Sequence, residues 1–196
     1  MASKVRPDDP AGVALLRRVG GRVIQTCPGL RPDPCTAEVI AWCEAVRPPG
    51  DVVVRPLSDI APEARPQLWV EQYVWVHQRW AAVDRGGLES LAELMAGPAD
   101  PTASSVALRA GVVEAIGWTF AEDDATYGIV AETARRDTAD GAALVASVLS
   151  RCLLRLAEQG CHVVEIDGHD GDPHLAPVLA TMPPCAAAPL WLVTVA

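Results

Sequence analysis

The sequence predicts an α/β (α+β) fold, helices and strands mixed in one chain. Three observations carry that expectation. The chain has 196 residues, 50% hydrophobic but only 5% aromatic, so Ala, Val and Leu must fill a core sized for one domain with an appendage. Its apolar periodicity changes from helical spacing before Gly97 to strand-like runs between Ser105 and Ala131, then back to a helix. Glycine and proline clusters stand where the period changes, at Pro48-Pro49-Gly50 and Gly97-Pro98.

The first fifty residues are expected to form a helical extension of two helices. Val13, Leu16, Val23 and Ile24 make one apolar stripe, interrupted by Gly20-Gly21. Asp33-Pro34 offers an N-cap followed by proline at the first helical position. Val39, Cys43 and Val46 then follow the helical period, with Ile40 and Trp42 beside them. A second region, residues 51–196, begins with a strand over Asp51–Leu57. Trp69, Tyr73, Val76 and Trp80 lie on one face of an amphipathic helix, and Gly87–Met95 makes another. Ser105–Arg109 and Val112–Phe120 are strands joined at Ala110-Gly111 as a hairpin. After the polar turn Glu122-Asp123-Asp124, Thr126–Ala131 is a third strand of the meander. A long helix starts near Gly141, buries Val145, Leu149, Cys152 and Leu156, and ends at Gly160. His162–Asp167 is a strand, Leu175–Thr181 a short helix and Leu190–Val195 a last strand.

Charge narrows the function classes. Sixteen basic against 25 acidic residues leave a net −9, which opposes nonspecific nucleic-acid binding and a polybasic membrane anchor. No run of about 18 apolar residues exists to span a bilayer, and Met1–Pro7 has no apolar leader core. The expectation is a cytoplasmic chain with no membrane or nucleic-acid partner. The six cysteines form no C-x-x-C pair and are expected to be free thiols. An acidic chain suits a cationic small molecule.

From residue 51 onward the order is strand, two helices, three-strand meander, loop, long helix, strand, short helix, strand. Before the long helix stands Arg136-Asp137-Thr138-Ala139-Asp140-Gly141. This order and motif resemble the GNAT superfamily of acyl-CoA-dependent N-acyltransferases, whose pattern is Arg/Gln-x-x-Gly-x-Gly/Ala. Arg136 and Gly141 match it, and Ala139 stands where glycine is usual. The physics of such a segment is general: a loop entering a helix leaves backbone N–H groups unpaired beside the positive end of the dipole, a place for a pyrophosphate. Arg136 could add charge-assisted hydrogen bonds, whereas Asp137 and Asp140 must point away or cap the helix.

The resemblance implies a central mixed, mostly antiparallel sheet flanked by helices. It implies transfer of an acetyl or other short acyl group from acyl-CoA to an amine, with no metal. The acceptor would be a small-molecule amine, possible examples being an aminoglycoside-like antibiotic or a peptide-like metabolite. A homodimer is compatible with it. The cofactor-binding positions carried over are Ile129, Val130 and Ala131 on the fourth strand, then Arg135, Arg136, Asp137, Thr138, Ala139, Asp140, Gly141 and Ala142. Acyl-CoA would lie where Thr126–Ala131 and His162–Asp167 splay, with a backbone N–H of the fourth strand on the oxyanion.

An alkylammonium must lose a proton before it attacks, so a base is needed. Glu132, Glu165 and Asp167 are the candidates, and pleat alternation puts Glu165 and Asp167 on one face. The family often uses a tyrosine on the short helix as the acid, but the only tyrosines are Tyr73 and Tyr127. His169, His174 or Cys185 could replace it, the thiolate could leave unassisted, or transfer could be lost, leaving an acyl-CoA sensor. Tyr73, Trp75 and His77 are the candidate walls of the acceptor pocket, with Trp75 off the apolar stripe of its helix. The polar stretch from Asp167 to His174 fails the EF-hand template and is expected to cap the short helix through Asp172-Pro173.

Overall fold

The computed structural model describes residues 2–77, 83, 86–122, 126–133 and 138–194, with side chains from Val5 onward. Ten strands and six α-helices alternate along these residues. They are β1 (Ala2–Val5), α1 (Pro10–Arg18), β2 (Arg22–Cys27), β3 (Leu30–Arg31), α2 (Ala37–Ala45) and β4 (Val52–Pro56). Then come α3 (Arg65–His77), α4 (Leu88–Ala96), β5 (Ser105–Arg109), β6 (Val112–Ala121) and β7 (Thr126–Thr133). The chain closes with α5 (Gly141–Glu158), β8 (Val163–Asp167), α6 (Leu175–Leu179), β9 (Ala186–Ala187) and β10 (Leu190–Thr194).

Seven strands make one sheet in the order β4-β5-β6-β7-β8-β3-β9, and β1-β10-β2 make a second, three-stranded one. Every neighbouring pair in the larger sheet is antiparallel except β7 and β8, which α5 connects in parallel. The expected mixed, mostly antiparallel sheet flanked by helices is therefore present. The β5–β6 hairpin turns at Ala110 and Gly111, at φ 50° and 82°, the consecutive left-handed pair that a two-residue hairpin loop requires.

The N-terminal fifty residues depart from the expected helical extension. α1 ends at Arg18, and Gly20 turns the chain at φ 67°. Val23 and Ile24 therefore belong to a strand, β2, rather than continuing the stripe of Val13 and Leu16. β2 pairs with β10 at the far end of the chain, and β3 joins the large sheet between β8 and β9. The segment is thus woven into both sheets. α2 forms as expected, but Thr36 caps it, accepting from Val39 N–H at 3.4 Å. Asp33 instead takes the N–H of Cys35 at 2.9 Å.

The large sheet has two buried faces. On one, α5 lays Leu144, Val145, Val148, Leu149 and Cys152 over Ala107, Ala115, Ile129 and Ala131. The small sheet residues let the helix come close. A Cβ at Gly117 would lie 2.7 Å from Cys152 Sγ, so glycine is the residue that fits there. Burial pushes the Cys152 thiol up to about 11 and Cys43 up to about 12, which makes both packing groups and not nucleophiles. On the other face Val106, Ile116 and Trp118 pack with Leu57, Ala96 and Ala99.

α3 is tied to this second face by a polar contact. Gln72 Nε2 donates to the carbonyls of Ile116 (3.0 Å) and Glu132 (2.9 Å), and Trp118 Nε1 donates to Gln72 Oε1. Gln72, Trp75 and Val76 are buried, whereas Trp69 and Tyr73 are only half-buried, so the buried face of α3 keeps Val76 of the expected stripe but is turned away from its aromatics Trp69 and Tyr73. Trp80 of that stripe lies outside the described residues. Gln72→Leu leaves the indole N–H of Trp118 buried and unpaired. It is expected to cost about 2–3 kcal/mol, measured as a lower urea midpoint at unchanged m-value.

Candidate functional site

The site forms where the parallel pair comes apart. β7 and β8 run in register from Thr126–Val163 to Val130–Asp167. β7 then continues through Ala131, Glu132 and Thr133, still paired with β6 but without a partner on β8. The resulting gap opens beside the start of α5. Ile129 and Ala131 turn their side chains into the core under α5, so only their backbones can serve a ligand in the gap.

At the helix end Gly141 N–H is bonded to Thr138 O at 3.1 Å, and Leu144 N–H to Asp140 O at 3.0 Å. The side chain of Asp140 caps nothing, because Arg109 holds its carboxylate. Arg109 also reaches Asp51 at 2.9 Å and Glu114 at 3.3 Å. The negative charge of Asp140 at the helix start is therefore paired. Thr138, Ala139, Asp140, Gly141 and Ala142 form this helix entry, whereas Arg135, Arg136 and Asp137 lie outside the described residues.

His174, just before α6, borders the same gap. Its Nδ1 shares a 2.8 Å hydrogen bond with Thr133 Oγ1. A Cβ at Gly141 would come within 2.6 Å of three atoms of its ring. Trp75 stacks on the ring at 5.2 Å between centroids. Trp75 is 4% exposed and belongs to this packing, which corrects its expected place on the acceptor wall. Asp172 fixes the loop, accepting from the N–H groups of His174 (2.7 Å) and Leu175 (3.1 Å), the capping role expected of Asp172-Pro173.

On the opposite face of the sheet lies a cavity of about 220 Å³. α3 contributes Trp69, Gln72, Tyr73 and His77. β6 and β7 supply Trp118, Phe120, Val130 and Glu132 as its floor. Asp167, Gly168 and His169 close one end, and Cys27, Met95 and Leu192 complete it. Tyr73 and His77 thus line the cavity, Tyr73 stacking on Trp69 at 4.9 Å and on His77 at 3.8 Å. His77 Nδ1–H donates to Tyr73 O at 2.8 Å. Burial outweighs that bond and lowers the histidine below its ordinary 6.5, so the ring is neutral at neutral pH.

The three carboxylate candidates separate. Glu165 is bonded by Arg31 Nε at 3.0 Å and Nη2 at 2.7 Å, and it does not line the cavity. Its expected role as a base gives way to an ion pair between β8 and β3. Asp167 lines the cavity and accepts from Gly168 N–H at 2.9 Å. Glu132, 7% exposed, lines it at the level of the splay. Burial, reinforced by the charges of Asp172 and Asp167, raises its carboxyl well above 4.5.

That shift has a consequence for stability. The folded chain holds the Glu132 proton more tightly than the unfolded chain does. The stabilisation is complete below the unfolded pKa of 4.5 and is lost as pH rises through the folded value. Glu132→Gln, which mimics the protonated acid, is therefore expected to raise the Tm at about pH 8 and to leave it nearly unchanged near pH 4. Thermal unfolding at the two pH values checks this.

Among the described residues one group has metal-ligand types. Asp33, Cys35 and His162 place ligand atoms within 4.8 Å of one another. They already satisfy each other and the backbone, since His162 Nδ1 lies 3.2 Å from Asp33 and Cys35 S–H donates to Cys161 O. None of the six cysteines is in a disulfide. No helix among the described residues is long and apolar enough to cross a membrane.

Sequence reasoning missed Trp69, Trp118 and Phe120 as cavity residues and the parts played by Cys27 and Leu192. Aromatic spacing alone assigns the first three to a core. Cys27 and Leu192 come from the β2–β10 pair, which has no local signature.

No family model matches the chain, and no curated protein matches it in sequence. Solved structures do match. A GCN5-related N-acetyltransferase from Sphaerobacter thermophilus superposes with a TM-score of 0.66 at 14% identity, over 98% of this chain and 57% of that one. The tandem GNAT protein from the clavulanic acid biosynthesis pathway gives 0.58 at 16% identity, over 98% and 62%. A GCN5-related N-acetyltransferase-like protein from Streptococcus suis 89/1591 gives 0.57 at 14% identity, over 97% and 71%. The chain spans little more than half of the Sphaerobacter protein. Its fold is that of the GCN5-related N-acetyltransferases.

Proposed function

We propose that the chain transfers an acetyl or other short acyl group from acyl-CoA to the amine of a small molecule, by direct attack in a ternary complex. The observation that carries this reading is the end of β7. Its residues 131–133 lack a β8 partner, the helix start lies on one side, and a cavity with a high-pKa carboxyl lies on the other. Acyl-CoA entering the gap would bring its pyrophosphate to the residues around Thr138–Ala142 and its thioester to the β7 backbone. A backbone N–H of this segment directed toward the gap would be a fixed donor for the developing oxyanion.

Glu132 would take the proton from the incoming ammonium. A raised pKa suits this work, since a base poised closer to the operating pH keeps both its charge and its proton affinity. Asp167 lends a second negative charge that attracts the cation. In the absence of a tyrosine on α6, the departing thiolate, with a pKa near 8–9, collects a proton from His174 or from water.

The missing tyrosine favours one other reading, an acyl-CoA-binding sensor without turnover. Acetyl-CoA incubated with the protein, an amine panel and a thiol reagent separates the two. The transferase reading expects CoA release that depends on an amine and matches the amount of N-acylated product. Acetyl-CoA binding with no release on any amine supports the sensor.

A further inference from the structure

We infer that the acceptor is a primary amine carrying a single aromatic ring on a linker of about two carbons. The inference deepens the acyl-transfer reading and rests on it for the reaction that the amine undergoes. The cavity itself carries the chemistry of the ligand.

One wall is aromatic and pre-assembled. Trp69, Tyr73 and His77 are spaced four residues apart on α3 and stack in sequence, at 4.9 Å and 3.8 Å between centroids. His77 continues the ladder by an edge contact to His169 at 5.6 Å. The floor holds two more rings, Trp118 and Phe120 on β6. The α3 rings are held by their stacking and Trp118 by Gln72, so they lose little freedom when a flat group arrives.

The polar end is acidic and stands at a definite distance. Trp118 pairs with Val130 and Ile116 with Glu132 across the β6–β7 ladder. Glu132 is therefore two residues, about 6.5 Å, along the strand from the level of Trp118. A ring laid against Trp69 and Tyr73 at the level of Trp118, with a two-carbon arm, places its ammonium beside Glu132, at the mouth of the β7–β8 gap. A carboxylate in the same place would face Glu132 and Asp167, so anionic aromatics are excluded by charge. The cavity of about 220 Å³ is larger than the ~150 Å³ apolar cavity that takes benzene, leaving room for the arm. A polycationic sugar needs a carboxylate beside each of its ammonium groups, and the cavity offers two, Glu132 and Asp167.

The test compares acceptors on the whole chain with acetyl-CoA saturating. 2-Phenylethylamine is expected to give a kcat/KM at least tenfold above that of n-butylamine, which has the same amine and no ring. It should also exceed 1,4-diaminobutane and an aminoglycoside. Trp69→Leu and Tyr73→Leu should each raise KM for 2-phenylethylamine and bring its ratio to n-butylamine toward unity, with kcat changed less. Equal or better turnover of n-butylamine, the diamine or the aminoglycoside overturns the inference. If no amine is acylated, the transfer reading fails, and calorimetry of the same amines decides the cavity separately. Tighter binding of 2-phenylethylamine than of n-butylamine upholds the ring preference, and equal or absent binding overturns it.

Discussion

Glu132→Gln is expected to lower kcat by about 10²–10⁴-fold, the range for a lost general base, while acetyl-CoA binds as before. The substitution keeps the shape of the side chain and removes its capacity to accept a proton. The carboxyl is buried and its pKa is raised by that burial and by Asp172 and Asp167. The acidic limb of the kcat/KM profile of the parent chain should therefore lie above the ordinary glutamate value of 4.5, and the variant should lose that limb. Steady-state kinetics across pH measures both. An unchanged kcat for Glu132→Gln, together with a large loss for Asp167→Asn, moves the base to Asp167, which lines the same cavity.

Gly141→Asp is expected to weaken acetyl-CoA binding by at least about 100-fold, roughly 2.7 kcal/mol. Two effects add. A carboxylate at the first residue of α5 occupies the positive end of the helix dipole and repels the pyrophosphate. The new side chain also enters space filled by the His174 ring, within 2.6 Å of where its Cβ must go. Gly141→Ala has the second effect alone, and combining it with His174→Ala should restore affinity toward that of His174→Ala by itself. Calorimetric titration with acetyl-CoA reads each variant. Parent-like affinity in Gly141→Asp would place the phosphates elsewhere.

Much of the fold was legible where an element carries its own signal. α5 shows a sustained helical stripe and a glycine stop, with Gly160 at φ 74°. The β5–β6 hairpin is marked by Ala110-Gly111. β2, β3 and β9 were not legible, because each exists through pairing with a remote segment. β3 and β9 are two residues long, too short for any periodicity.

The site was legible in part for a related reason. Residue type made Glu132 a candidate, but its burial follows from α3 and the sheet closing over it. α3 misled by its aromatics. Their spacing resembles a core stripe, yet Gln72 is the residue turned inward, because three hydrogen bonds compensate its burial. Trp75 is buried by His174, which arrives from a loop almost a hundred residues on. Arg109, which neutralises Asp140, sits on β5 and could not be connected to the helix start without the sheet.

Hydrogen–deuterium exchange with and without acetyl-CoA tests the central claim most directly, because the proposed seat of the thioester is a stretch of strand without a β8 partner. Exchange is predicted to slow at residues 131–133 and in the first turn of α5, with residues 163–166 of β8 unchanged. Unchanged exchange at 131–133, with protection confined to the β1-β10-β2 sheet or absent, would contradict it.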